Sequence, residues 1–88
     1  MDKDFKELQK QLATNVKLAR VAAGLTQETL ALAAGIERSH ISQIERGIAN
    51  PALRTLLRVA LALDTNVSAL LSGQTGLMEI LTQSKRPK

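Results

Sequence analysis

The chain has 88 residues, 44% of them hydrophobic, with 12 basic and 8 acidic side chains for a net charge of +4. That length suits one small domain, domains commonly running to roughly 100–150 residues. Cysteine is absent and His40 is the single histidine, which excludes disulfides and thiolate metal sites and argues against a histidine zinc centre or a catalytic triad.

Apolar runs stay short of the roughly 18–20 residues of a membrane span, and Met1-Asp2-Lys3-Asp4 does not open a signal peptide. The expectation is a cytoplasmic protein with no membrane contact, no metal, no cofactor and no enzymatic activity. Phe5 is the only aromatic residue, and alanine and leucine, the strongest helix formers, supply most of the apolar content. No stretch alternates with period two, so an all-α fold is expected, a compact five-helix bundle with a short helical extension at the C-terminal end. Lys85, Arg86 and Lys88 supply three of the positive charges, leaving nine basic and eight acidic groups in residues 1–84. A case for nucleic acid must therefore rest on where the charges sit.

Asp4 followed by Glu7 predicts a capping box at the start of the first helix. Phe5, Leu8, Leu12, Val16 and Ala19 recur at three- and four-residue steps and place one stripe on a core. Gly24 is expected to end that helix in the left-handed region. Thr26 is the next N-cap, Leu30, Ala31 and Ala34 mark the inner face of a short second helix, and Gly35 stops it. A third helix follows at once on Ile36, Ile41 and Ile44, with Glu37 as its N-cap and Gly47 as its close. Asn50-Pro51 predicts the start of a fourth helix whose buried stripe is Leu53, Leu56, Leu57, Ala60 and Leu61. Asp64-Thr65-Asn66 is a turn before a short helix carrying Val67, Leu70 and Leu71. Residues 72–88 read as a linker, a short apolar segment over Leu77-Met78-Glu79-Ile80-Leu81, and a basic tail.

Two short helices joined by so tight a turn must cross steeply, and Gly24 to Gly47 carries that pattern. Ala31 is the small residue at the crossing, and Gly35 supplies the backbone freedom of the turn. This is a helix-turn-helix arrangement, whose second helix can enter a DNA major groove.

Over roughly Leu12 to Leu71 the sequence resembles the phage repressor and Cro-like (XRE-type) helix-turn-helix regulators. Arg20 four residues before Gly24, the Ile44-Glu45-Arg46-Gly47 close, and Asn50-Pro51 before a leucine-rich helix carry the resemblance beyond the central motif. Within that family, Glu37-Arg38-Ser39-His40-Ile41-Ser42 looks like regulators of the restriction–modification controller type. The resemblance implies a DNA-binding domain over 5–71, a helix-turn-helix over 27–46 and a recognition helix over about 37–45.

With Ile41 and Ile44 inward, Arg38, Ser39, His40, Ser42 and Gln43 would face outward as base readers. Arg38 can donate twice to guanine, Gln43 can pair with adenine, and the serines can meet several base edges or phosphates. His40 has three open roles: solvent, phosphate or base. Thr26 and Gln27, at a helix N-terminus, suit a phosphate, and the resemblance implies that Gln27 clamps the backbone. Arg46, Asn50, Arg54 and Thr55 lie just beyond the recognition helix and could grip the same strand. Four basic residues and one acidic one fall between Arg38 and Arg58, so positive charge concentrates there. The resemblance also implies that Arg20 and Glu45 form a partly buried pair orienting the recognition helix.

The expected partners are double-stranded DNA and a second copy of the chain, with polymerase or a toxin as an open protein partner. The expected function is a transcriptional regulator on palindromic operators, with an antitoxin-type autorepressor or a protein-interaction adaptor as alternatives. Leu77 to Leu81 could cover Phe5 and Leu8 in the same subunit or across a dimer two-fold.

Overall fold

A computed structural model describes residues 1–73; the expected apolar segment at 77–81 and the basic tail lie outside the described residues. The helices are α1 (Asp2–Ala22), α2 (Gln27–Ala34), α3 (Arg38–Glu45), α4 (Leu53–Ala62) and α5 (Val67–Leu71). Among the described residues there is no strand.

α1 begins earlier than Asp4. Its N-cap is Met1, whose carbonyl accepts from the Phe5 N–H at 3.0 Å. Asp2 and Asp4 both sit in the first turn, where the helix dipole favours carboxylates without requiring either to cap. The α2 N-terminus carries a reciprocal cap: the Thr29 N–H donates to Thr26 Oγ1 at 3.0 Å and the Thr26 N–H to Thr29 Oγ1 at 2.8 Å. Gly35 closes α2 at φ +70°, a conformation that disfavours L side chains, and this lets α3 begin three residues later. Glu37 occupies the N-cap position of α3 without a side-chain capping bond.

α4 starts at Leu53 with Ala52 as N-cap, two residues beyond the expected Asn50-Pro51 start. Ala52 remains extended at ψ 153°, so Pro51 ends up in the preceding loop. Its buried arc also differs from the expected stripe. Leu56, Val59 and Ala60 are buried, whereas Leu53, Leu57 and Leu61 are exposed. At 100° per residue Leu56 and Leu63 centre the buried arc, with Val59 and Ala60 at its edges, and the 53–57–61 row falls to one side of it. Phe5 and Leu8 likewise remain about 40% exposed.

α1 packs against α3 and α5, α2 against α3 and α4, and α4 against α5. Leu30, Val16, Ile41, Ile44, Val59 and Leu70 fill the centre with almost no exposed surface. One polar side chain joins them. Asn15 is 2% exposed, and its Nδ2 donates to the carbonyls of Ala69 (3.3 Å), Leu70 (2.8 Å) and Ser72 (2.7 Å). At the other end of α5, Asn66 Oδ1 accepts from the Ala69 N–H at 2.8 Å. Five residues are too few to hold a helix by propensity; side chains at both ends hold this one. A further tie runs from Gln9 Nε2 to the Ala49 carbonyl at 2.7 Å, fastening the α3–α4 loop to α1.

Candidate nucleic-acid interface

α3 divides cleanly. Ile41 and Ile44 are buried against α1 and α2, which turns Arg38, Ser39 and Gln43 outward as exposed side chains. His40 and Ser42 are half-buried beside them. Glu37, Ser39, His40 and Gln43 line one shallow surface cleft. Arg38 instead lines a neighbouring cleft with Thr26, Gln27 and Arg20 at the N-terminus of α2. Ser39 Oγ donates to Glu37 Oε2 at 3.4 Å, a long bond that a better acceptor can replace.

The orientation of α3 is held by a side-chain hub. Arg20 Nε donates to Glu45 Oε2 at 2.7 Å and Nη2 to Glu45 Oε1 at 3.0 Å, a two-pronged pair, while Nη1 donates to the Leu25 carbonyl at 2.8 Å. The Glu45 side chain is 4% exposed and that of Arg20 13%. Hydrogen bonding to Glu45 raises the Arg20 guanidinium further above its already high range, against the opposing pull of burial. Gln27 Nε2 adds a third donor to Glu45 Oε1 at 3.1 Å. One carboxylate thus joins α1, the first residue of α2 and the last residue of α3. Gln27 is half-buried in this hub, with a second amide hydrogen left for an outside acceptor.

The remaining residues considered for phosphate contact are less gathered. Thr26 is exposed, with its hydroxyl engaged in the α2 cap. Arg46, Asn50 and Arg54 are exposed and Thr55 is half-buried. Asn50 lines an apolar cleft of about 100 Å³ beside Phe5, Leu8 and Pro51. Two residues without a place in the sequence reading, Asn15 and Gln9, turn out to position these elements. For Asn15 a signal existed: it lies at the edge of the buried arc of α1, next to Ala19 on the helix surface and beyond it from Leu12 and Val16. Among the described residues no group of His, Asp or Glu could hold a metal ion, and no helix is long and apolar enough to cross a membrane.

The helix-turn-helix family model HTH_3 matches residues 16–70, which include all of α2 and α3. Control protein C.SmaI from Serratia marcescens is 40% identical over 70 residues, covering 80% of this chain and 83% of that protein. Among solved structures, the hypothetical transcription factor NHTF from Neisseria superposes with a TM-score of 0.75 at 34% identity, over 83% of this chain and 84% of that one. The restriction–modification controller protein C.AhdI from Aeromonas hydrophila does so at 0.68 and 37% identity, over 70% of this chain and 94% of that one.

Proposed function

Because the chain belongs to the HTH_3 helix-turn-helix family, we propose that it is a sequence-specific transcriptional regulator that lays α3 in the major groove of duplex DNA. The observation that carries this reading is the outward set of Arg38, Ser39 and Gln43 opposite the buried Ile41 and Ile44. Arg38 donates to O6 and N7 of a guanine and Gln43 pairs with an adenine, each good bidentate contact discriminating by about 1–3 kcal/mol. Ser39, His40 and Ser42 fill the groove between them. Thr26, Gln27, Arg46, Asn50, Arg54 and Thr55 meet phosphates, which set register and not sequence.

One such helix spans only about 4–6 base pairs, so two copies bind a palindrome, with half-sites roughly 34–36 Å apart. Regulation then follows from protein concentration through dimerisation, and the bound dimer either blocks polymerase or touches it. The relatives C.SmaI, a control protein, and C.AhdI, a restriction–modification controller protein, favour a controller role, which this reading places in the cytoplasm and without enzymatic activity. No observation favours an antitoxin or an adaptor.

Selection of random duplexes on the purified protein tests the reading. The expected product is a palindrome with a guanine preference that relaxes in Arg38→Ala while overall affinity falls by about 1–3 kcal/mol per half-site. Recovery of no common sequence, or affinity indifferent to salt, overturns it in favour of an adaptor.

A further inference from the structure

Between α1 and the C-terminal end of α3 lies a further cleft, of about 400 Å³, lined by Lys10, Thr14, Lys17, Glu45, Arg46 and Gly47. Lys10, Lys17 and Arg46 are all exposed. None of the three has a carboxylate partner among the described residues. Glu45, the one acid in the wall, is already neutralised by Arg20 at 2.7 Å. Glu7, one turn before Lys10, makes no ion pair with it, and no other acidic residue occurs in the sequence until Glu28.

We propose that this cleft binds backbone phosphates of the same duplex, beyond the base pairs that α3 reads, and so lengthens each half-site. The proposal rests on the DNA-binding reading above and adds Lys10, Thr14 and Lys17 to its surface. Lys10 and Lys17 are seven residues apart on one face of α1, a separation of about 10 Å at 1.5 Å per residue. A DNA strand carries one negative charge per phosphate, so two ammonium groups about 10 Å apart can each meet a separate phosphate of one strand. Lysines act there as mobile point charges, which fits backbone contact better than base reading. Thr14 stands between them with a hydroxyl that can donate. Arg46 makes the cleft continuous with the recognition helix, since it directly follows Glu45, the last residue of α3.

The test uses the full chain and the selected palindrome in two lengths, one ending at the half-site edges and one extended by a turn of duplex on each side. On the long duplex, Lys10→Gln/Lys17→Gln should bind more than about tenfold more weakly near 0.1 M salt. The slope of log affinity against log salt should fall by about two per bound subunit. Its base preferences should match those of the parent chain, and Lys10→Arg/Lys17→Arg should keep the parent's affinity. On the short duplex the glutamine variant and the parent should bind alike. A glutamine variant with the parent's slope and affinity on the long duplex overturns the proposal while leaving the DNA reading intact. Equal losses on both lengths also overturn it, because the lysines would then act within the half-site. A parent chain without sequence preference removes the DNA reading and this proposal together.

Discussion

α3 and α4 are both amphipathic, yet they present opposite kinds of surface. α3 buries two isoleucines and turns arginine, serine and glutamine to solvent. α4 buries Leu56, Val59 and Ala60 and still leaves Leu53 72% and Leu61 67% exposed. On α3 so few residues are apolar that only one orientation buries them, and the outward face follows by elimination. On α4 apolar residues cover most of the circumference, so periodicity sets the helix without setting which arc meets the core. A helix with scarce hydrophobes is therefore easier to orient from its sequence than one rich in them.

The largest effect is expected at the hub that holds α3. Glu45→Ala leaves Arg20 poorly compensated in a mostly buried position and removes the acceptor for Gln27. Breaking such a pair costs about 3–5 kcal/mol, so a urea melt should show a loss of that size, and DNA affinity should fall with it. An unchanged melt would mean that the pair does not hold α3. Because the pair raises the pKa of Arg20, its contribution is fully present below the unfolded value and is lost only as pH climbs through the still higher folded one. Arg20 should therefore add no slope to stability across the neutral range.

A smaller effect is expected on α4. Val59 is fully buried, and Val59→Ala removes two methyl groups and leaves a cavity, at a cost of about 2 kcal/mol. Leu61→Ala should cost less than about 1 kcal/mol, surface changes being small. Urea midpoints in the reverse order would mean that the 53–57–61 row faces the core.

Much of the fold was legible because its punctuation is chemical. Gly24, Gly35 and Gly47 all take positive φ, Thr26 caps α2 and Asn66 caps α5, and the order of five helices follows from those stops and starts. The start of α4 was displaced because proline restricts the residue before it without requiring the helix to begin at once, and Ala52 stayed extended. Asn15 and Gln9 escaped because their partners are backbone carbonyls 54 and 40 residues away, contacts that no local pattern encodes. In the candidate interface, the outward set on α3 was legible from two buried isoleucines. The Gln27–Glu45 bond needed α2 and α3 in place before it existed.

Amide shifts of the isotope-labelled chain, followed while its selected duplex is added, test most directly whether α3 is the reading surface. The largest changes should fall on Arg38 to Gln43, with Thr26, Gln27 and Arg46 next. Silent amides over 38–43, with changes gathered instead along Leu53, Leu57 and Leu61, would contradict the account.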